Sequence, residues 1–143
     1  MVKKNVLPGN VTMKWDARAL SKETNQKIAS KILQIVEGVC NAHGVNGSVK
    51  YETACPVTFN SKIQADAATK AAISLLGNDK CNGDIEPCLF SEDFSMMTSE
   101  KPGCFILMGN GTSEQYSRPL HADNYDFNDE LLGIGSSYWT ELV

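Results

Sequence analysis

The chain has 143 residues, 42% of them hydrophobic, which suits one ordinary domain or two small lobes. Its 17 acidic residues outnumber its 13 basic ones and no basic cluster occurs, so binding to nucleic acid through phosphate contacts is not expected. The longest apolar run is far shorter than the ~20 residues that span a bilayer, and no signal peptide is recognisable. Five cysteines without CxxC spacing predict reduced thiols in a cytoplasmic protein, although two of them could pair.

The first part of the chain predicts a strand–helix–strand unit. Residues 11–18 alternate apolar and polar side chains, as a half-buried strand does. Ser21 stands where a helix N-cap belongs, an amphipathic helix follows, and Gly44 is a suitable C-cap. Residues 49–53 alternate again as a second strand. A right-handed crossover makes the two strands parallel, which is one half of a ferredoxin-like lobe.

The rest of the chain predicts two helices and one buried strand. Residues 62–76 are rich in alanine and predict a helix with Ile63, Ala67, Ala71 and Leu75 on one stripe. Residues 104–108 are continuously apolar, as in a strand buried on both faces. A final helix is expected from about Asn128, and its apolar face would be formed by Leu131, Ile134, Tyr138 and Leu142. The fold class predicted from these patterns is α/β (α+β).

The two histidines are the first candidates for a metal site. His121 lies in a polar, turn-forming segment and is open to solvent or ligand, as a metal ligand must be; the alternative is an ordinary exposed loop histidine. His43 ends the first predicted helix, where interaction with the helix dipole is the favoured interpretation. No helical or hairpin spacing brings the two together, whereas catalytic zinc needs about three protein ligands. A complete hydrolytic site within this chain is therefore not expected.

Other polar residues have two open interpretations. Glu92 and Asp93 form an acidic pair that could steer a base or, with Asp123, help His121 to hold a metal weakly; the alternative is a helix-capping segment. Cys104 opens the predicted buried strand and has no histidine near it in sequence. It is therefore predicted to be a core residue rather than a nucleophile.

Several short motifs follow one another along the chain: residues 5–9 (NVLPG), 16–18 (DAR), 56–60 (PVTFN), 91–95 (SEDFS), 102–103 (PG), 109–111 (GNG) and 119–130 (PLHADNYDFNDE). In order and spacing they resemble the M20 family of metal-dependent amidohydrolases and peptidases. Within that family they are most similar to the hippurate hydrolase or N-acyl-amino-acid amidohydrolase branch.

The resemblance implies a division of the chain. M20 enzymes have a catalytic domain that holds two metal ions, with a smaller lid domain inserted into it. Residues 1–56 resemble the second half of the lid, a partial ferredoxin-like dimerisation lobe. Residues 57–143 resemble the C-terminal part of the α/β zinc-peptidase-like catalytic domain. Most of the family's metal ligands and its general-base glutamate have no counterpart here.

The resemblance also implies roles for individual residues. His121 matches the last metal ligand of the family, whose cofactor is a divalent metal such as zinc or manganese. Asn5 and Arg18 match lid residues that bind the substrate carboxylate or transition-state oxygen; the alternative for Arg18 is a solvated strand end. Glu92 and Asp93 match a motif beside the active-site cleft.

Two functions follow as expectations. The first is a truncated amidohydrolase resembling enzymes in which metal-activated water hydrolyses the amide bond of N-acyl amino acids. It would be inactive alone and completed by a homodimer partner or by a separately encoded N-terminal half. The second is a noncatalytic α/β interaction or dimerisation module, since an unpaired strand edge invites association.

Overall fold

The computed structural model describes residues 8–143, and the regular structure within this range is helical. The helices are α1 (Lys22–His43), α2 (Lys62–Leu76), a 3₁₀ turn (Asn78–Lys80), α3 (Phe94–Glu100) and α4 (Leu131–Leu142). The chain divides into two compact units, Met1–Tyr51 and Glu52–Val143. This division does not test the assignment of residues 1–56 to a lid and 57–143 to a catalytic domain, which stays a prediction.

The predicted α/β fold is wrong for the part of the chain that the structure describes. Residues 11–18, 49–53 and 104–108 form no strand there, so neither half of a ferredoxin-like lobe nor a sheet of the catalytic domain is present. Val11 and Met13 are 74% and 72% exposed. Alternation defines the two faces of an extended segment, but a strand also needs a partner backbone for its N–H and C=O groups. The sequence pattern does not show whether that partner exists.

The predicted long helix and both of its caps are confirmed in α1. The Ser21 hydroxyl accepts a hydrogen bond from the Thr24 N–H at 3.1 Å, which satisfies one of the free donors of the first turn. At the other end Gly44 has φ 63°, and the Val45 N–H donates to the Cys40 carbonyl at 3.0 Å. These are marks of a Schellman motif, in which the left-handed residue is usually glycine.

The segment after α1 folds back along it. At Gly47 the backbone lies so close to the Cys40 thiol that an added Cβ would clash with it. Four residues further on, the Tyr51 hydroxyl donates to the Asn25 side-chain oxygen at 3.1 Å. The first contact is near the end of α1 and the second near its beginning, so residues 45–51 run in the direction opposite to the helix.

The apolar face expected of this amphipathic helix is only partly covered. Ile28, Ile32 and Val36 are half-buried, whereas Ile35 and Val39 are 62% and 54% exposed. No described residue of α1 is fully buried. The local signals of the sequence are therefore enough to place this helix, although its packing is sparse.

The core of the second unit lies between α2 and α4. The buried apolar residues of the described chain are Ala68, Ala71 and Tyr138. The α2 helix has the predicted bounds, but its predicted stripe is only partly buried, because Ala71 is buried whereas Ile63 and Ala67 are exposed. Alanines occur on several faces of α2, so hydrophobicity alone does not choose among them. The predicted apolar face of α4 is confirmed, with its four members buried or half-buried.

Residues 104–108 are anchored to the second unit without forming a buried strand. The Asn60 side chain donates to the Phe105 carbonyl at 2.9 Å and accepts from the Phe105 N–H at 2.8 Å, so an amide side chain replaces a neighbouring strand. The Phe94 ring lies 5.8 Å from the Phe105 ring, in a tilted arrangement. Leu107 is nevertheless 59% exposed. The prediction of a strand covered on both faces is therefore wrong.

Candidate functional site around His121

Two asparagines close the base of the loop that carries His121. The Asn110 side-chain oxygen accepts from the Asn128 N–H at 2.9 Å, and the Asn128 side-chain amide donates to the Asn110 carbonyl at 3.2 Å. The Asn110 amide also donates to the carbonyls of Asp126 at 2.8 Å and Tyr116 at 3.2 Å. Residues on both sides of the loop are thus tied to one side chain.

The same asparagine pair joins the loop to α4. The Asn128 side-chain oxygen accepts from the Glu130 N–H at 3.1 Å, and its carbonyl accepts from the Leu131 N–H at 3.0 Å, where the helix begins. On the other side, Gly111 has φ 128°, and a Cβ there would lie 3.1 Å from the Tyr116 Cβ. A glycine after Asn110 is therefore favoured by the positive φ, and a larger residue there would also crowd Tyr116.

His121 occupies a turn with an unusual backbone. The Ala122 N–H donates to the Pro119 carbonyl at 3.2 Å, which makes His121 the third residue of a β-turn. Its φ is 69°, whereas every other described residue with positive φ is a glycine. This left-handed region costs an ordinary residue ~1–2 kcal/mol. Because such strain persists only where the surroundings hold it, and occurs preferentially at functional sites, it favours a specific role for the exposed His121 side chain.

The other predicted metal-site residues are not gathered around His121. Among residues 8–143, no three His, Cys, Asp or Glu side chains lie close enough to hold one metal ion. Glu92, Asp93 and Asp123 therefore do not complete a site with His121, and His43 belongs to the other unit. Since catalytic zinc needs about three protein ligands, the donor set of the described chain does not fit such a metal by itself.

The acidic pair starts α3 through its backbone. The Glu92 carbonyl accepts from the Ser95 hydroxyl at 2.6 Å and from the Ser95 N–H at 3.2 Å. Asp93 stands at the N-cap position, but its side chain makes no capping hydrogen bond. The alternative of carboxylate capping is thus not supported, and the place of Glu92 and Asp93 beside a cleft stays a prediction.

The predicted substrate-binding residues are only partly described. The Arg18 Nε donates to an Asp16 carboxylate oxygen at 2.7 Å, and both side chains are exposed. Asn5 lies outside the described residues. A role for Arg18 and Asn5 in substrate binding therefore stays a prediction.

The Cys104 thiol is partly buried, and this burial affects its reactivity. Desolvation raises the pKa of its thiol, which disfavours the reactive thiolate. Burial also raises the pKa of Tyr138, and the neighbouring Cys104 adds to the rise because two negative charges would repel each other. These directions favour the predicted core role of Cys104 over a nucleophilic one.

The sequence profile of Peptidase family M20/M25/M40 matches residues 6–143. The chain belongs to this family. The predicted resemblance is confirmed. Its amidohydrolase branch is confirmed as well, because the chain matches relatives named hippurate hydrolase and N-acetylcysteine deacetylase.

Three curated relatives illustrate the match. The hippurate hydrolase of Campylobacter jejuni is 31% identical over 139 residues, which cover 97% of this chain and 35% of the relative. The N-acetylcysteine deacetylase of Bacillus subtilis is 27% identical, with the same two coverages. Thermostable carboxypeptidase 2 of Saccharolobus solfataricus is 25% identical over 136 residues, covering 94% of this chain and 34% of the relative. The M20 chain thus spans about a third of the length of these relatives. No solved structure matches it.

Two features of this M20 chain were missed by sequence reasoning. One is the Asn110–Asn128 pair and the other is the left-handed backbone of His121. The available signals were an asparagine between two glycines at 109–111 and an asparagine before the acidic residues that precede α4.

In the described part of the chain, no helix is long and apolar enough to cross a membrane. The five cysteines carry no disulfide.

Proposed function

We propose that this M20 chain takes part in hydrolysis of the amide bond of N-acyl amino acids, as one portion of a metal-dependent amidohydrolase. The observation that carries the proposal is the match along 97% of the chain to relatives named hippurate hydrolase and N-acetylcysteine deacetylase. Hippurate and N-acetylcysteine are both N-acyl amino acids. The activity is proposed for an assembly and not for the isolated chain, which spans about a third of those relatives.

The proposed roles follow the family motifs. His121 supplies one ligand to a zinc or manganese ion, Asn5 and Arg18 contact the substrate carboxylate, and Glu92 and Asp93 lie beside the cleft. The exposed, conformationally strained His121 supports the first of these roles. Because the described chain does not contain the remaining donors, they would come from a second copy or from a separately encoded N-terminal half. The chain alone would be inactive.

Uncovered apolar surface supports association with another polypeptide. Leu132 and Trp139 are 70% and 62% exposed and share one side of α4. Exposed apolar side chains that form a common surface are typical of interaction sites.

We place this assembly in the cytoplasm, with a small N-acyl amino acid as substrate and without nucleic acid or membrane as a partner.

A second candidate is a noncatalytic interaction or dimerisation module. The lack of a three-ligand cluster in the described chain favours it, as do the exposed Ile35 and Val39 of α1. In this case the chain would form a homodimer or cover a partner, and His121 would have no metal to bind.

Metal stoichiometry distinguishes the two candidates. The chain, the His121→Ala variant and the His43→Ala variant would be purified with zinc and with manganese, and bound metal per chain measured. His43→Ala is the matched control because it removes the other histidine of the protein. Metal retained by the chain and by His43→Ala but lost by His121→Ala would support the proposed ligand, and assays with hippurate and N-acetylcysteine would follow. Equal metal in His121→Ala would contradict it. Absence of metal from all three would favour the noncatalytic module.

A further inference from the structure

We infer that Asn110 and Asn128 are positioning residues for His121, because they close both ends of the loop that presents its imidazole. The inference rests on the proposed function, because a histidine that binds a metal must be held in place. It concerns how His121 is held and does not depend on which metal is bound.

The Asn110 side chain is fully used. Its oxygen accepts from the Asn128 N–H, and its two amide hydrogens go to the carbonyls of Tyr116 and Asp126. An amide is the only short neutral side chain with two donors and an acceptor on one terminal group. Aspartate would keep the acceptor and lose both donors, while alanine would lose all three contacts. The site therefore calls for asparagine specifically.

Further hydrogen bonds are nested inside the asparagine pair. The Asn110–Asn128 contact joins residues 18 apart, and within it the Gln115 amide donates to the Asp126 carboxylate, 11 residues away, at 2.5 Å. Inside this, the Arg118 guanidinium donates to the Asn124 carbonyl, six residues away, at 2.6 Å. The turn that holds His121 lies within the innermost contact. Each outer contact shortens the loop that the next one must close, so loss of the base weakens every contact inside it.

The position of α4 has a separate cause. Tyr138, well inside the helix, packs against α2 and donates to the Ala68 carbonyl. The asparagine pair lies before the first turn of α4, and the hydrogen bonds of the Asn110 side chain go to the loop and to the Asn128 N–H, not into the helix. Removing the Asn110 side chain should therefore release the loop and leave the α2–α4 contact in place. Once the loop is released, His121 should leave the left-handed region more often, because fewer contacts would then hold its strained backbone.

Nuclear magnetic resonance of the full chain tests the inference without metal. The protein has two histidines, so its imidazole spectrum is simple, and His43 is an internal reference in the other unit. We expect Asn110→Ala, Asn110→Asp and Asn128→Ala to move the His121 ring signals toward those of an unstructured peptide. Amide exchange in residues 111–127 should rise about tenfold or more, since each variant loses at least two hydrogen bonds.

Asn60→Ala is the matched control. It also removes an asparagine that makes two hydrogen bonds in the same unit, but these go to Phe105 and not to the loop. Its His121 signals should stay those of the unmodified chain. Unchanged His121 signals in all the Asn110 and Asn128 variants would overturn the inference. So would an equal rise of exchange in α2, α4 and the loop, because it would indicate a general structural role. If the asparagine variants release the loop but the metal experiment shows no metal bound through His121, the proposed function is refuted and the inference about Asn110 and Asn128 stands.

Discussion

Tyr138 in the middle of α4 reaches α2, where its hydroxyl donates to the Ala68 carbonyl at 3.4 Å and its ring is almost completely buried. The other buried apolar residues described are alanines, which contribute little apolar area each. The second unit therefore depends strongly on one aromatic side chain for its core.

Truncating this side chain should destabilise the second unit. We expect Tyr138→Ala to lower the free energy of unfolding by about 3 kcal/mol, as for other large-to-small core changes. Tyr138→Phe should cost less than ~1 kcal/mol, because the hydrogen bond is long. Trp139→Ala, at an exposed position next in sequence, is the control for loss of an aromatic ring. Urea unfolding measures all three, and equal costs for the two alanine variants would contradict this account of the core.

The second unit should lose stability in alkaline solution. Burial raises the pKa of Cys104 and of Tyr138 in the folded chain, so the unfolded chain releases these protons first. The associated stability is present below the ordinary pKa values, about 8.5 for cysteine and about 10 for tyrosine, and is lost as pH rises past them. We expect the free energy of unfolding, measured from neutral to alkaline pH, to decline less steeply in Cys104→Ser. A profile identical to that of Cys88→Ser, a change at an exposed cysteine, would disagree with this expectation.

The backbone of His121 predicts an order of stability among its variants. Asparagine tolerates a φ of 69° better than most residues, whereas a β-branched side chain tolerates it poorly. We expect His121→Asn to be more stable than His121→Val by about 1 kcal/mol in thermal or urea unfolding. Both variants lack the imidazole, so the comparison isolates the backbone. If the two unfold alike, the loop does not impose the left-handed conformation in solution.

The N-cap of α1 should be measurable by itself. Ser21→Ala removes the acceptor of the Thr24 N–H and should cost about 1 kcal/mol of helix stability. Ser30→Ala, at an exposed position within α1, should instead stabilise the helix by a few tenths of a kcal/mol, about the difference in helix propensity. Amide exchange across α1 reports both effects. Equal changes in the two variants would mean that the Ser21 hydroxyl does not cap the helix.

The sequence alone was enough for features that depend on near neighbours. The start of α1 at Ser21, its end at Gly44 and the bounds of α2 follow from caps and helical periodicity, which act within a few residues. The apolar face of α4 follows from the same periodicity. Membership of the M20 family was also visible, because its motifs are short and ordered along the chain.

The candidate site was only half visible from the sequence. His121 stood out as a histidine in a turn-forming loop, but nothing local indicated its positive φ. The contact of Asn110 with Asn128 crosses 18 residues, and neither residue shows from its own neighbourhood that it will meet the other.

The sequence by itself therefore determined where α1 and α2 begin and end, which residue types the loop of His121 contains and the family to which the chain belongs. Tertiary structure alone decided that residues 11–18 and 104–108 do not pair into strands, that α2 buries Ala68 instead of Ile63, and that His121 lies at the centre of nested contacts. The physical reason is the distance along the sequence over which each interaction acts. Caps and periodicity act within one or two helical turns, whereas strand pairing, the choice of a buried face and loop closure depend on groups far away in sequence.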